Sequence, residues 1–270
     1  YATKKKIKIL PPKFRHSNAE YFSDKESHSI YKGIGSVKFM NQSCADDLYS
    51  LRDNHYNSFV DLLRDIYEKT SVNARQLDIL IKLDFFEEFG NAKELLRLVK
   101  MYDMFGTAKT LKKEKLANSD VVKAIVERHS IGTTKAGKES KSYTQLDNSA
   151  IMNECETLIM SLGIKPMTIK EKAEIQKEYM GYVDIATGKQ EDRPKLYILD
   201  VKTLKSKASG KTWARQITAQ SIGSGKQSNY TITSKNYHEE FQVGDVILCK
   251  HLEKQKDYWH ITNYEVLVNI

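Results

Sequence analysis

The stretch Pro194-Lys-Leu-Tyr-Ile-Leu-Asp-Val201 marks the point at which this sequence changes its hydrophobic period. Upstream of it, apolar residues recur every three or four positions, which is typical of amphipathic helices. Downstream of it, short runs rich in β-branched and aromatic residues alternate with turns that contain Gly and Ser, which is typical of strands. The sequence therefore predicts an α+β chain of more than one domain, with the helical part first.

The β-rich part, residues 193–270, contains five candidate strands. They cover residues 196–201, 213–221, 230–234, 246–249 and 258–268. Five strands in about 75 residues is the size of a small OB-type β-barrel. A small sandwich of another topology fits the same pattern, so the sequence leaves both architectures open.

The first part, residues 1–105, is predicted to be a helical domain. Its clearest helix carries one apolar stripe, formed by Phe59, Leu62, Leu63, Ile66 and Tyr67. Asn73 can cap a second helix. Asn91, with Glu94 three residues later, has the spacing of a capping box at the start of a third helix.

Between these parts lie two further segments. Residues 106–147 are predicted to be a basic linker with one short helix capped by Ser119, because Phe105 to Tyr143 contains nine Lys/Arg and four Asp/Glu. Residues 148–192 are predicted to be a helical connector, with one helix ending at Gly163 and another running from Thr168 to Gly181.

Positive charge is concentrated at the start of the predicted barrel. The whole chain carries 43 Lys+Arg against 35 Asp+Glu, whereas residues 193–226 carry eight basic residues and one acid. Aromatic residues interleave these charges, and a basic groove with stacking aromatics is typical of single-stranded nucleic-acid binding. The predicted phosphate contacts are Lys205, Lys207, Lys211, Arg215 and Lys226, and the predicted stacking residues are Trp213 and Tyr230. Alternatively, the aromatics fill the barrel and the lysines keep it in solution.

Signatures of catalysis are missing from the sequence. No H-E-x-x-H, G-x-S-x-G or G-x-G-x-x-G pattern is present, and the Gly-Lys pairs at 210–211 and 225–226 are read as hairpin turns. Cys44, Cys155 and Cys249 have no metal-ligand spacing and form no disulfide framework, which favours the reducing cytoplasm. We therefore expect no catalytic residue, metal or cofactor. No run approaches the ~18 apolar residues that span a bilayer, so no membrane partner is expected.

Four segments of the first hundred residues follow the pattern of one known family. They are Ile9-Leu-Pro-Pro12, Ile30-Tyr-Lys-Gly33-Ile-Gly35-Ser-Val-Lys38, Tyr56-Asn-Ser-Phe59-Val-Asp-Leu62 and Val72-Asn-Ala-Arg75-Gln-Leu77-Asp-Ile-Leu80-Ile-Lys82. In these segments the chain resembles the C-terminal region of the bacterial DNA polymerase III alpha subunit, from its helix-hairpin-helix region onwards. Further on, Glu178-Tyr-Met-Gly181-Tyr is similar to the segment that leads into the OB-fold of that family. The OB-fold itself is matched only by pattern, in Leu199-Asp-Val201, Ser209-Gly-Lys-Thr-Trp-Ala214 and Gly244-Asp-Val-Ile247.

This resemblance implies a non-catalytic fragment of a replicative DNA polymerase, a nucleotidyltransferase. The catalytic aspartates and the nucleotide-binding fingers of the family lie in regions that this chain does not contain. The chain begins at Tyr1, and we read it as a piece of a longer protein. The helical domain is expected to contact the duplex backbone and the barrel to bind single-stranded template during DNA replication.

Two details of the resemblance involve particular residues. The hairpin turn that grips a phosphate in this family falls either on Phe39-Met40-Asn41, which has no glycine, or on Gly33-Ile34-Gly35. A segment that docks on the sliding clamp is similar to Met101-Tyr-Asp103-Met104-Phe105, with Met101 where the family usually has Gln. For this second segment, simple packing of the Met-Phe pair at a helix end is the alternative.

A different class of function is also open at this stage. The barrel and helices could form a protein-interaction adaptor that docks other replisome or phage proteins, with lysines that only solvate the surface. An independent nuclease or NTPase lacks the ligands that such chemistry requires.

Overall fold

The computed structural model describes residues 7–26, 28–134, 137–255 and 258–268. The chain divides into two compact units, Tyr1–Pro166 and Met167–Ile270. This division falls inside the segment 148–192 that was expected to be one helical connector. No helix in the described ranges is long and apolar enough to cross a membrane.

The first unit is mainly helical. Its helices are α1 Gln42–Ser50, α2 Phe59–Lys69, α3 Ala74–Lys82, α4 Ala92–Phe105, α5 Asp120–Arg128 and α6 Asn148–Ser161. Two small sheets accompany them, one of order β1-β3-β2 and one of order β4-β6-β5. Their strands are β1 Lys8–Leu10, β2 Phe22–Asp24, β3 Ser29–Tyr31, β4 Thr110–Lys112, β5 Ile131–Thr133 and β6 Glu139–Thr144.

The core of this unit is formed by the apolar faces of α2, α3 and α4. The stripe predicted on α2 is confirmed for Phe59, Leu62, Leu63 and Ile66, which are all buried. Tyr67 at its end is exposed instead. Its hydroxyl donates to Asp103 at 2.6 Å and its ring lies 4.9 Å from that of Tyr102, so it clamps α2 to α4 from outside.

The predicted helix starts are confirmed. Asn73, Asn91 and Thr168 each accept a hydrogen bond from the backbone amide three residues later, and the side chain at that position bonds back to the cap amide. Ser119 likewise accepts from the amide of Val122. Caps of this kind satisfy amides that have no partner within the helix, which explains why a local pattern locates them well.

An aromatic cluster joins the N-terminal segment to the helices, and the sequence analysis did not predict it. Phe14 is buried, and its ring centroid lies 5.6–6.3 Å from those of Tyr56, Phe85, Phe86 and Phe89. The amide of Phe14 also donates to the carbonyl of Phe85 at 2.9 Å. Burial of this ring holds the segment before β2 against the helical core.

The segment 106–147 differs from the basic linker that we expected. It contains β4, α5, β5 and β6, and buries Leu111, Leu116, Ile125, Val126 and Tyr143. Burial raises the pKa of Tyr143 to about 12, and its hydroxyl donates to Glu127 at 2.8 Å. The linker interpretation relied on net charge, but a few well-spaced apolar residues beneath lysines are enough to fold the segment.

The second unit is a closed five-stranded barrel beside one helix. Its elements are α7 Ile169–Met180, β7 Lys195–Lys205, β8 Thr212–Ser221, β9 Gln227–Thr233, β10 Val246–Gln255 and β11 Tyr258–Leu267. The strand order around the barrel is β10-β11-β9-β8-β7, and β10 pairs with β7 to close it. Among the described pairings of the barrel strands, β9–β11 is parallel and the others are antiparallel. This order confirms the OB-type barrel and rules out the sandwich alternative.

The barrel has an interior core and an outer layer. Its interior is filled by Leu196, Ile198, Ile217, Ala219, Ile232, Phe241, Ile247, Ile261 and Tyr264. Outside it, Ala173 of α7 packs with Tyr197 of β7 and Val246 of β10. Because alternate strand residues face opposite sides, Tyr197 lies outside while its neighbours Leu196 and Ile198 lie inside.

Candidate nucleic-acid interface

The connection between β7 and β8, residues 205–211, forms a tight turn that we call the basic hairpin. The amide of Ser206 donates to the carbonyl of Lys211 at 2.9 Å, and that of Gly210 to the carbonyl of Ser206 at 2.8 Å. Gly210 has φ +66°, a conformation that favours glycine. The predicted phosphate contacts Lys205, Lys207 and Lys211 all lie exposed on this hairpin.

The positive charge of the basic hairpin is not neutralised locally. Residues 201–238 contain seven Lys/Arg and no Asp or Glu. The preceding acid, Asp200, lies 3.7 Å from Lys202. Within the described part of the chain, no carboxylate lies within 4 Å of the three hairpin lysines. A surface of this kind attracts polyanions in a salt-dependent way.

Trp213 follows the basic hairpin directly and is exposed. Leu204 pairs with Ala214 but Lys205 pairs with Thr212, so Trp213 is the extra residue of a β-bulge in β8. Bulges redirect side chains, and the Trp213 side chain is 50% exposed. The residue is therefore exposed rather than part of the barrel filling, and its role in stacking stays a prediction.

Arg215 lies further along β8 and is held by an aromatic ring. Its guanidinium carbon lies 3.4 Å from the ring centroid of Tyr237, which in turn packs edge-on against Phe241. Stacking of this kind fixes the plane of a guanidinium but leaves its in-plane N–H groups able to donate. Arg215 can therefore bond to a phosphate from a preset position.

Two other predicted residues are not brought together with the hairpin. Tyr230 is half-buried against the barrel core, and burial raises the pKa of its hydroxyl. It pairs across the sheet with the core residue Ile217, so it serves packing more than stacking. Lys226 is exposed but lies in the turn at the other end of β8. A ten-residue strand separates it from the hairpin by roughly 30 Å.

Two exposed aromatics were missed by the sequence analysis. Tyr258 and Trp259 at the start of β11 are 61% and 40% exposed, and the Lys254 Nζ lies 5.8 Å from the Trp259 ring. Register places Trp259 beside Tyr230. Neighbouring residues of a barrel strand face opposite sides, so an adjacent Tyr-Trp pair already implies that one ring lies outside the barrel.

The hairpin turn of the helical unit has a definite geometry. A 3-10 turn, Ile34–Ser36, leads into residues 38–40 and then α1. The amides of Ile34 and Gly35 donate to the carbonyls of Asn18 and Ala19, both at 2.9 Å. These bonds occupy two amides of the Gly33-Ile34-Gly35 turn, so it contributes to the fold of this unit rather than to a phosphate site. The geometry favours Phe39-Met40-Asn41 as the hairpin turn, with Asn41 capping α1.

Residues 6–96 match a model of the helix-hairpin-helix motif. The motif binds nucleic acid, chiefly through backbone amides that contact phosphates. The match covers α1 to α3 and the turn that precedes α1. Among curated proteins, no significant match to the chain was found.

The segment that resembles a clamp-docking peptide lies just after the helix-hairpin-helix region, in the last turn of α4. Phe105 is fully buried, and its carbonyl accepts a hydrogen bond from Asn148. Asp103 accepts from Tyr67, Met101 is half-buried and Met104 is partly exposed. Docking through Met104 and Phe105 would require this helix end to open. The structure therefore favours the packing interpretation.

The thiols are poor candidates for nucleophiles, and this can be tested. Burial raises the pKa of both Cys44 and Cys155 to about 11, so about one such thiol in ten thousand is ionised near neutral pH. Burial also raises the pKa of Cys249. In a titration with a thiol reagent, Cys44 and Cys155 should stay unreactive in the folded protein and react in denaturant. Rapid labelling of either residue in the native state would contradict this burial.

In the described ranges, a metal site would need a group of His, Cys, Asp or Glu side chains. No cluster of three or more His, Cys, Asp or Glu side chains that could hold a metal ion occurs there. The basic hairpin instead presents exposed lysines and an aromatic ring. Such side chains can bind a ligand through charge and stacking.

Proposed function

We propose that this chain binds DNA at two places. The OB-type barrel holds a single strand along the basic hairpin, and the helix-hairpin-helix region contacts the duplex backbone. The observation that carries the proposal is the exposed Trp213 beside Lys205, Lys207 and Lys211, within 38 residues that contain no acid. Backbone charge neutralisation and base stacking are the two terms of single-strand binding, and this surface offers both.

We further propose that the chain is the non-catalytic template-handling part of a replicative DNA polymerase. The support is the resemblance of its first hundred residues to the C-terminal region of the polymerase III alpha subunit. The order of the parts, a helix-hairpin-helix region followed by an OB-type barrel, agrees with that resemblance. Because Phe105 is buried, clamp docking through Met104 and Phe105 is not included in the proposal.

The first test is the affinity for a short single-stranded oligonucleotide at several salt concentrations, followed by fluorescence anisotropy. The logarithm of the binding constant should fall linearly with the logarithm of salt concentration, by about 0.7 for each phosphate contacted. Three or four contacts predict a slope between about −2 and −3. Absence of binding at low salt would reject the proposal and favour the adaptor alternative.

Replacing Trp213 by alanine tests the stacking part of this proposal. Loss of one base–aromatic stack costs about 1–3 kcal/mol, so affinity for single-stranded DNA should fall about 5- to 150-fold. The salt dependence should stay unchanged, because no charge is removed. Tyr230→Phe is the matched control, since Tyr230 packs against the core and its ring is retained. Equal losses in both variants would contradict the assignment of stacking to Trp213.

A further inference from the structure

The hairpin turn of the helix-hairpin-helix region contains a bulky residue in an unusual backbone conformation. Phe39 has φ +69°, in the left-handed region where glycine is the ordinary residue. Residues held in such conformations persist only when their surroundings fix them, and they cluster at functional sites.

The backbone of this turn is fixed by neighbouring residues on both sides. The carbonyl of Phe39 accepts a hydrogen bond of 3.1 Å from the side-chain amide of Gln76, which is buried. The next amide, that of Met40, donates to the carbonyl of Val37 at 3.1 Å. Asn41 follows as the cap of α1, its Oδ1 2.8 Å from the amide of Cys44. The strained conformation is thus fixed by a side chain of α3 on one side and by the capped start of α1 on the other.

The ring of Phe39 is not used to fill the core. The ring is 48% exposed, although its backbone is strained and is held in place by a hydrogen bond from the buried Gln76. The guanidinium carbon of Arg75 lies 3.4 Å from the ring centroid. Arg75 is itself exposed, and no carboxylate in the described ranges lies within 4 Å of its guanidinium. The turn therefore presents an aromatic ring and an unneutralised arginine together.

The charge around this turn is suited to a polyanion. Residues 27–45 contain no Asp or Glu but include Lys32 and Lys38. The two acids that directly follow this run are already engaged by neighbours. Asp46 accepts from Gln42 at 2.8 Å, and Asp47 accepts two bonds from Ser71, which lower its pKa. An acidic or neutral protein surface would gain less from this charge than a nucleic acid.

We propose that Phe39 is a wedge that enters the minor groove of duplex DNA and partly unstacks a base step, with the Arg75 guanidinium lying in the groove beside it. Apolar wedges flanked by arginine are used by minor-groove proteins to kink a duplex. This inference rests on the proposed DNA binding and deepens it. The turn Phe39-Met40-Asn41 lacks the glycines that grip a phosphate in this motif, and the inference gives it a contact with bases instead.

The test uses a duplex that carries 2-aminopurine, whose fluorescence rises when it is unstacked, at successive positions of one strand. The intact chain should raise the fluorescence at one or two adjacent positions at least twofold. Phe39→Ala and Phe39→Gly should both abolish the rise, and Arg75→Gln should weaken duplex affinity about tenfold. The ring-preserving variant Phe39→Tyr, with the same aromatic plane, should retain most of the signal.

The glycine variant separates a wedge from a structural residue. Because glycine adopts positive φ without strain, Phe39→Gly should melt at the same temperature as the intact chain or up to about 3 °C higher. A clear fall in its melting temperature would show that the ring stabilises the fold and would overturn the inference.

Binding to duplex DNA and binding to single-stranded DNA are measured separately, so that failure of the wedge can be distinguished from failure of the proposed function. Single-strand binding that depends on the basic hairpin, with 2-aminopurine signals unchanged in Phe39→Gly, would overturn the wedge and leave the proposed function standing. Absence of binding to either form of DNA would reject the proposed function and the wedge together.

Discussion

Exchanging Lys205, Lys207 and Lys211 together for glutamine should lower the affinity for single-stranded DNA about 100-fold at low salt. Each lysine that neutralises a phosphate releases condensed counterions from the DNA. The three exposed lysines have no nearby carboxylate, so no ion pair has to be broken before they bind phosphates. The loss corresponds to about 2.7 kcal/mol. The salt slope should fall by about 2, because three contacts of about 0.7 each are removed.

A control of equal charge change makes this result specific. Lys165, Lys177 and Lys189 are also exposed, and their exchange for glutamine lowers the net charge by the same three units outside the acid-free run. When it is compared with the hairpin variant near physiological salt, where exposed charges more than about 8 Å away are screened, this variant should change affinity less than threefold. Equal losses in the two triple variants would show that binding follows net charge and not the basic hairpin.

The second large effect is expected on stability, from Gly33→Ala. A Cβ at position 33 would lie far inside contact distance of the carbonyl oxygens of Ala19 and Glu20. The backbone of Gly33 is ordinary, with φ −78° and ψ 157°, so glycine is required here by space and not by conformation. Relief requires residues 19–20 to move, which breaks the bond from the amide of Gly35 to the carbonyl of Ala19 and displaces the neighbouring bond from Ile34 to Asn18. We expect a loss of about 3 kcal/mol or more in the free energy of unfolding.

This measurement needs a probe that reports on the first unit. Both tryptophans, Trp213 and Trp259, belong to the second unit, so unfolding of the helical unit should be followed by far-UV circular dichroism. Gly163→Ala is the control in the same unit. Gly163 has φ +57° with nothing within 4 Å of a built Cβ, so this variant bears only the backbone cost of about 1 kcal/mol. Similar losses in both variants would contradict the steric account of Gly33.

The Gly33→Ala variant also separates the roles of the two candidate turns, Gly33-Ile34-Gly35 and Phe39-Met40-Asn41. If Gly33 acts through the fold, the folded fraction of Gly33→Ala should bind duplex DNA with little change. A selective loss of duplex affinity at unchanged stability would instead return the phosphate site to Gly33-Ile34-Gly35.

Local features of this protein could be predicted from sequence because their causes are local. Asn73, Asn91 and Thr168 cap helices through bonds that span three residues, so a pattern of three or four positions contains all the partners. The stripe on α2 and the five barrel strands follow in the same way from periods of 3.6 and 2 residues. Clustering of basic residues along 193–226 was equally visible without coordinates.

Exposure could not be predicted, because it depends on partners that are distant in sequence. Trp213 and Tyr230 are both aromatic residues on barrel strands, yet one is turned outwards by a bulge and the other packs beside Ile217. Phe105 looked like a docking residue at a helix end, but it is fully buried and its carbonyl is bonded to Asn148, 43 residues later. The fold of 106–147 depends on similar contacts beneath a basic surface.

The sequence by itself determined the capped helices, the five barrel strands and the places where positive charge collects. Periodicity, capping and charge clustering are properties of neighbouring residues, and a single chain displays them in full. Only the tertiary structure decided which aromatic rings and which amides remain available to a ligand. A group is available to a ligand only if packing within the protein has not already used it. Packing joins residues far apart in sequence, such as Phe39 with Arg75 and Gly33 with Ala19.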